Sequence, residues 1–157
     1  MTLHSWLEAR RLEDPEALGF GWATVDLERS LTQTGRPAAE WLPVGEPLLG
    51  ARGATTTVEG RTVVVLEPAT EGRLAGWLAR NGEGPAVRYR DGDGSEDPDA
   101  RREMTALGRT GRLVPPTDPR DEFTILVDPT ELSDGATSAP DGRGRPGGPA
   151  PRPSVDG

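Results

Sequence analysis

The sequence predicts an α+β domain that is built from two β-α-β-type modules. The first observation is a weak internal repeat, because residues 64–68 (VVLEP) and 125–129 (ILVDP) both place an acid and a proline after three apolar residues. The second observation is that each copy lies roughly 40 residues after a strand-like stretch that is followed by a capped helix, at 20–25 and 27–34 in the first half and at 85–90 and 98–107 in the second. Since such repeats arise from repeated supersecondary units, we expect the two halves of the chain to fold alike.

The first half of the chain has the stronger secondary-structure signals. Large and small residues alternate over 19–25 (GFGWATV), which predicts a strand, and Asp26 is a favourable N-cap for a helix over 27–34. Apolar residues at helical spacing over 3–12 predict an amphipathic helix within an N-terminal segment, residues 1–17. Further strands are predicted at 41–44, 54–58 and 62–66.

The second half repeats this order with weaker signals. A helix is predicted over 70–81, where it links the two halves and ends at Asn81-Gly82, and strands are predicted at 85–90 and 123–127. Asp97-Pro98 is a typical helix start, which predicts a helix over 98–107. Prolines at 115, 116 and 119 leave little room for a full strand between 111 and 121.

Composition excludes several classes of site and partner. The chain has no cysteine and a single histidine, His4, which excludes disulfides, thiolate zinc sites, iron–sulfur clusters and a cysteine nucleophile. The formal net charge is −8 and the basic residues, all of them arginine, form no continuous stripe. We therefore expect no nucleic-acid partner.

The sequence also leads to an expectation about location. The start MTLHSWLEARR lacks the apolar core of a signal peptide, and no apolar run approaches the ~18 residues of a membrane span. We expect a cytoplasmic protein without a membrane partner, and the exclusive use of arginine is typical of GC-rich bacterial coding. Residues 133–157 hold almost nothing to bury, so we expect a disordered C-terminal tail.

Two local motifs carry a family resemblance. Residues 64–68 (VVLEP), then a short helix and residues 81–85 (NGEGP), look like an epimerase segment in which a strand ends in Leu-Glu-Pro and a helix leads to Gly-Glu-Gly. Residues 25–30 (VDLERS) are similar to a Val-x-Asp-Leu opening in the same proteins. These motifs resemble the vicinal oxygen chelate superfamily, which includes glyoxalases and methylmalonyl-CoA epimerases.

The resemblance implies a glyoxalase-like domain over 18–132. Its two βαβββ-type modules, at about 18–68 and 85–132, would form a U-shaped mixed sheet around a concave ligand cup, with the helix at 70–81 as the linker. It also implies four metal ligands, one on each of four strands, usually His, Glu or Gln. The matching positions are Phe20, Val64, Val87 and Ile125. None of these side chains can bind a metal, so we expect a metal-independent protein without a cofactor.

Strand alternation predicts which side chains line the cup in place of the metal site. The predicted ligand-binding residues combine aromatic rings with a tyrosine and a threonine hydroxyl: Phe20, Trp22, Thr24, Val64, Leu66, Val87, Tyr89, Phe123 and Ile125. Gly21, Ala23 and Val25 are then predicted to face a helix. Such a cup suits a flat or apolar small molecule, but the same side chains would equally serve as a second core that fills the cup.

Three functions are compatible with this interpretation. The favoured one is metal-free, non-catalytic binding of an aromatic or apolar molecule, for example to sequester it. An enzyme of the same fold would act without a metal, through Tyr89 or through carboxylates such as Glu67 and Asp128. A non-catalytic interaction module would have a closed cup and a contact surface that includes Trp6, Trp41 or Trp77. The sequence leaves open whether the chain forms a homodimer.

Overall fold

The computed structural model describes residues 2–8, 14–92 and 100–129. Its helices are α1 (Leu3–Glu8), α2 (Leu27–Gln33) and α3 (Arg73–Asn81). Its strands are β1 (Ala17–Ala23), β2 (Leu42–Glu46), β3 (Ala51–Val58), β4 (Arg61–Pro68), β5 (Gly84–Asp91), β6 (Arg102–Met104), β7 (Thr110–Val114) and β8 (Phe123–Val127). All eight strands belong to one mixed sheet with the order β2-β3-β4-β1-β5-β8-β7-β6.

Two four-strand modules meet at the centre of this sheet. In the first module β1 pairs parallel with β4, and antiparallel pairing continues through β3 to β2. In the second, β5 pairs parallel with β8, and antiparallel pairing continues through β7 to β6. The two modules join where β1 and β5 pair antiparallel. The predicted α+β fold is therefore confirmed, and each copy of the repeated motif lies at the last strand of its module.

The second module departs from the prediction after β5. The helix predicted over 98–107 is wrong for residues 100–107, because Arg102–Met104 forms β6 and pairs with β7. Thr105 then begins a tight turn, in which its amide and its hydroxyl both donate to the Arg109 carbonyl at 2.9 and 2.6 Å. The Asp97-Pro98 signal concerns only the helix start, whereas β6 gains ladder hydrogen bonds from β7, which is itself held in the sheet by β8, and this pairing overrides the signal. Residues 98 and 99 lie outside the described residues.

The strand β7 fits within the segment that the prolines restrict. It ends at Val114, directly before Pro115, so no proline has to donate a ladder hydrogen bond. The expectation of little room for a strand was therefore too strict. The predicted tail, residues 133–157, and residues 9–12 of the predicted N-terminal helix lie outside the described residues.

Helices α1 and α2 cover the outer face of the first module. Trp6 of α1 packs on Trp22 of β1, with 5.2 Å between the ring centroids, and on Phe20 at 6.5 Å. The predicted N-cap Asp26 accepts the Arg29 amide at 3.0 Å and begins α2. The Glu67 carboxylate at the end of β4 accepts the Leu27 amide at 3.0 Å, which fixes α2 to the sheet. No helix in the described part of the chain is both long and apolar enough to cross a membrane.

Helix α3 lies between the two modules in sequence and packs on both of them. Its apolar side chains Leu74, Trp77 and Leu78 are buried in the same cluster as residues of β4, β5 and β8. The Trp77 indole donates to the Asp121 carbonyl at 3.0 Å, just before β8. Gly82 ends the helix with φ +75°, as the sequence predicts. This helix and the turn before β3 close one end of the cup.

Candidate functional site

Cross-strand pairing defines which residues share the cup face of the sheet. Gly21 of β1 lies opposite Val64 on one side and Val87 on the other, so these three residues point to the same face. Phe20 lies opposite Val63 and Arg88, which point to the other face. The prediction that Phe20 and Trp22 line the cup is therefore wrong, and both lie on the outer face beneath α1.

Steric limits at the centre of the sheet explain this arrangement. A Cβ atom on Gly21 would lie 2.8 Å from Val87 Cβ, a distance that real Cβ atoms essentially never show. A Cβ on Gly19 would lie 3.0 Å from the Thr62 carbonyl oxygen. At Gly19 and Gly21 the cup face of β1 therefore accepts only small residues, and the rings of Phe20 and Trp22 lie on the outer face. Gly21 lies on the cup face, and Ala23 is buried in the cluster that also contains Leu74, Trp77 and Leu78 of α3. The prediction that Val25 faces a helix is wrong, because its side chain is 64% exposed.

Thr24 is buried, but its hydroxyl is committed to polar partners between β1 and α2. It donates to Glu83 Oε2 at 2.6 Å and lies 2.6 Å from Ser30 Oγ. Glu83 Oε2 also accepts the Val25 amide at 2.8 Å and Arg29 Nη2 at 2.6 Å. Burial alone would raise the pKa of Glu83, but these partners lower it below its ordinary value. Thr24 therefore anchors the start of α2 and does not line the cup.

The other six predicted cup residues do come together. They form one cluster on the cup face, joined by Leu48 and Leu49 of the turn before β3 and by the apolar face of α3. None of the six is more than 6% exposed: Val64, Leu66, Val87, Tyr89, Phe123 and Ile125. This end of the cup, which we call the deep end, is filled by protein side chains, as the alternative of a second core predicts.

The polar centre of the deep end is Glu46, the last residue of β2. Its carboxyl group is fully buried, and Oε2 accepts hydrogen bonds from the Tyr89 hydroxyl at 2.8 Å and the Ala106 amide at 2.9 Å. Oε1 has no hydrogen-bond partner among the described residues. Burial raises the pKa of Glu46, and the hydrogen bonds from Ala106 and Tyr89 offset part of that rise.

Glu46 also connects distant parts of the sheet. It lies on β2, the first strand in the sheet order, whereas Ala106 follows β6, the last strand. The sheet is therefore curved so that its two edges come close together, and the Glu46 carboxyl group at one edge is hydrogen-bonded to the Ala106 amide at the other. Glu46 was not among the predicted site residues, because the strand was predicted to end at Val44. A continued alternation through Leu42, Val44 and Glu46 was the available signal.

The opposite end of the cup is open. A cavity of about 460 Å³, which we call the cup mouth, is lined by Glu40, Leu42, Thr55, Thr56, Thr57, Thr62, Ala106 and Leu107. Thr57 and Thr62 are directly paired across β3 and β4, and Leu42 pairs with Thr55. Leu42 is 63% exposed although it points to the cup side, so an apolar side chain stands at the entrance. Threonine hydroxyls and two leucines thus surround an unfilled space.

The carboxylates considered for acid–base chemistry have separate structural partners. Glu67 Oε1 accepts Arg52 Nη2 at 2.6 Å on the outer face, and Asp128 forms an ion pair with Arg102 of β6. Each carboxylate therefore stabilises its own module. Within residues 2–8, 14–92 and 100–129, no group of three or more His, Cys, Asp or Glu side chains is arranged to hold a metal ion.

The three tryptophans considered for a contact surface are all buried. Trp6 is 2% exposed, Trp77 is 4% exposed and Trp41 is 7% exposed. Trp6 and Trp77 have packing roles under α1 and α3. The predicted contact surface is therefore wrong for these two residues, because helix packing takes up both rings. Trp41 differs because it lines a groove on the outer face.

Comparisons with known proteins agree on the fold. No family model and no curated protein matches the chain. A methylmalonyl-CoA epimerase variant of Streptomyces coelicolor, solved with 2-nitronate-propionyl-CoA, is 20% identical with a TM-score of 0.53, covering 72% of this chain and 96% of that chain. The Mycobacterium tuberculosis epimerase is 18% identical with a TM-score of 0.52, covering 76% and 94%.

A hypothetical protein, BH1468 of Bacillus halodurans, is also similar. It is 17% identical with a TM-score of 0.52, covering 73% of this chain and 94% of that chain. At these identities the likeness concerns the fold alone. The chain has the vicinal oxygen chelate fold, so the predicted resemblance is confirmed at that level.

Proposed function

We propose that this protein binds a small amphipathic molecule in the cup mouth without a metal and without catalysis. The observation that carries the proposal is the division of the cup into a filled apolar deep end and an open mouth. The mouth has a volume of about 460 Å³, which lies within the ~300–1,000 Å³ of typical ligand pockets. Its size suits a single small molecule.

The chemistry of the walls indicates the kind of ligand. Leu42 and Leu107 provide apolar contacts on facing sides of the mouth, because Leu107 packs over Gly19 at the centre of the sheet while Leu42 lies on the edge strand. Thr57 and Thr62 provide hydroxyl groups that both donate and accept hydrogen bonds. An apolar or aromatic molecule that carries a hydroxyl or carbonyl group satisfies both sets of contacts.

The proposal is tested by screening small aromatic and aliphatic alcohols and ketones against the protein with methyl-labelled Leu and Thr. Binding in the mouth should shift the methyl resonances of Leu42, Leu107 and Thr62. A Thr57→Trp variant should block the entrance and abolish these shifts, since Thr57 is exposed at the rim. Ala79→Trp, at an exposed position of α3 outside the mouth, is the matched control and should bind normally. Binding that persists in Thr57→Trp would refute the proposed site.

A second candidate function is metal-independent proton transfer by Glu46. The observation that favours it is a buried carboxyl with a raised pKa whose partner Ala106 lines the mouth. The backbone amide of Ala106 would then lie between a ligand in the mouth and this carboxyl group. In that case Glu46→Gln should abolish exchange of solvent deuterium into the bound ligand while leaving its affinity unchanged. Binding without any exchange in the unaltered protein would exclude this function for that ligand.

A further inference from the structure

The cup mouth lies between the two edges of the curved sheet. One side is formed by residues of the first module, among them Leu42 of β2 and Thr57 of β3, and the other by Ala106 and Leu107, which follow β6. In the described part of the chain β2 and β6 are the first and last strands of the sheet and do not pair with each other. The distance between the two sides therefore depends on contacts across the cup.

The side formed by Ala106 and Leu107 belongs to a compact turn over residues 105–109, which we call the mouth turn. Thr105 holds it together, because its amide and hydroxyl donate to the Arg109 carbonyl and its own carbonyl accepts the Gly108 amide at 2.9 Å. The Leu107 amide donates to the Thr105 hydroxyl at 3.3 Å. These bonds lie within the turn, so they maintain its shape, whereas its position is set by contacts with other elements.

The amide of Ala106 points out of the mouth turn. It donates to Glu46 Oε2 at 2.9 Å, across 60 residues of sequence, and joins the turn to the end of β2. Ala106 is 5% exposed and Glu46 is 0% exposed. Breaking a hydrogen bond that is shielded from water leaves its donor and acceptor unsatisfied, which is unfavourable. This bond therefore limits how far the mouth turn can move away from β2.

Glu46 is held firmly enough to fix the turn. It lies opposite Ala51 in the ladder between β2 and β3, and its Oε2 also accepts the Tyr89 hydroxyl at 2.8 Å. The other contact of the turn with the sheet is apolar, because Leu107 lies over Gly19, where a Cβ atom would be 3.4 Å from Leu107 Cδ2. Apolar contacts have no preferred direction, so the Glu46 carboxyl group is the element that fixes the turn laterally.

We propose that Glu46 is a positioning residue of the cup mouth, which holds the mouth turn close to β2 through the Ala106 amide and so restricts the mouth to small ligands. This inference rests on the function proposed for the mouth and adds the origin of its size selectivity. Glu46 lies behind the wall that Ala106 forms, and the role requires no proton transfer. Without the hydrogen bond, the turn moves away from Leu42 and Thr57 and the mouth admits a larger molecule.

Two variants remove the hydrogen bond from opposite sides. Ala106→Pro removes the donor, and it suits the turn, because Ala106 follows Thr105 in the four residues that the Gly108 amide closes, a position that proline favours. It leaves the bond between Tyr89 and Glu46 in place. Glu46→Met removes the acceptor and keeps a side chain of similar length. Glu46→Gln is the conservative control, since its amide oxygen still accepts the Ala106 amide.

The first measurement needs no ligand. Amide hydrogen exchange of the full chain should show at least about tenfold less protection at Ala106 in Glu46→Met, while Glu46→Gln retains the protection of the unaltered protein. The Gly108 amide, bonded within the turn, is the internal reference, and the ratio of the two protection factors corrects for a general loss of stability. An unchanged ratio in Glu46→Met would overturn the proposal.

The second measurement compares two alcohols that differ by one fused ring, benzyl alcohol and 2-naphthalenemethanol. Their dissociation constants are obtained from the methyl shifts of Leu42 and Thr62. The affinity for 2-naphthalenemethanol relative to benzyl alcohol should rise about three- to tenfold in Ala106→Pro and in Glu46→Met, and stay unchanged in Glu46→Gln. Proline is larger than alanine, so a rise in Ala106→Pro cannot come from a smaller side chain in the wall.

The results separate this inference from the function on which it rests. If the alcohols bind in the mouth and their affinity ratio is the same in all four proteins, Glu46 does not restrict the mouth and this inference alone is overturned. A ratio that rises equally in Glu46→Gln would also overturn it, because that variant retains the acceptor. If neither alcohol binds to any of the four proteins, both the inference and the function proposed for the mouth fail for this class of ligand.

Discussion

The Tyr89 hydroxyl donates a hydrogen bond of 2.8 Å to Glu46 Oε2, although three strands separate β5 from β2 in the sheet. Both side chains are fully buried. Burial, and then the neighbouring Glu46 carboxylate, raise the pKa of Tyr89 well above its ordinary value, so the phenol remains a donor at any physiological pH. This contact joins the two modules across the cup.

The first prediction concerns the pH dependence of stability. Because the pKa of Glu46 is raised in the folded protein, the folded state binds this proton more tightly than the unfolded state. The free energy of unfolding should therefore fall as the pH rises from about 4.5 towards the folded pKa, and the loss should persist above it. A Glu46→Gln variant cannot ionise at this position and should lack this contribution.

Urea unfolding from about pH 4 to about pH 8 measures this effect as the difference in free energy between Glu46→Gln and the unaltered protein. The free energy of unfolding of Glu46→Gln should increase relative to that of the unaltered protein as the pH rises. Glu71→Gln, which replaces an exposed carboxyl, is the control and should show no such trend. Parallel curves for Glu46→Gln and the unaltered protein would contradict the prediction.

The second prediction concerns the glycine at the centre of the sheet. Gly21→Ala should destabilise the protein by about 1–3 kcal/mol, since its methyl group would lie 2.8 Å from Val87 Cβ. Gly45→Ala on β2 is the control, because a Cβ there meets no atom within 4 Å. In the Gly21→Ala background, Val87→Gly, which removes the Cβ that the new methyl group would meet, should cost less than it does alone. Additive costs, measured by denaturant unfolding, would indicate that the two side chains do not share a face.

The third prediction distinguishes a core role for Trp22 from a ligand-binding role. Trp22→Ala should destabilise the protein by about 3–5 kcal/mol, because the ring is 2% exposed and packs on Trp6. A double-mutant cycle with Trp6→Ala should give a coupling of about 0.5–1.5 kcal/mol. Where the variant is folded, ligand affinity in the cup mouth should be unchanged. A Trp22→Ala variant that is as stable as the unaltered protein but no longer binds the ligand would show that Trp22 has a ligand-binding role.

The fourth prediction concerns metal content. Protein prepared without a chelator should hold much less than one equivalent of any transition metal, and a chelator should leave its melting temperature unchanged. The reason is the chemistry of the cup, where Val64, Val87 and Ile125 offer no donor atom and the chain has one histidine and no cysteine. Elemental analysis checks the first statement and thermal unfolding the second. A stoichiometric metal that stabilises the domain would refute both.

Much of the architecture was predictable from local sequence patterns. Asp26 could be identified as an N-cap because aspartate favours the position directly before a helix. The apolar run from Val63 to Leu66 predicted a strand that is buried on both faces. The parallel strands β4 and β8 could be identified because the same short motif ends each module. These features depend on neighbours in sequence, so the sequence alone determined the order of elements in the first module and the apolar character of Val64, Val87 and Ile125.

The tertiary structure decided which face of β1 is inside and what fills the cup. Alternation states that Phe20 and Gly21 point to opposite faces, but the space between β1 and β5 determines which face each residue occupies. In the same way, the helix signal at Asp97-Pro98 gave way to the ladder between β6 and β7, and Glu46 gained its role only when the two edges of the sheet met. Packing and pairing between distant segments depend on the whole chain, and no local pattern encodes them.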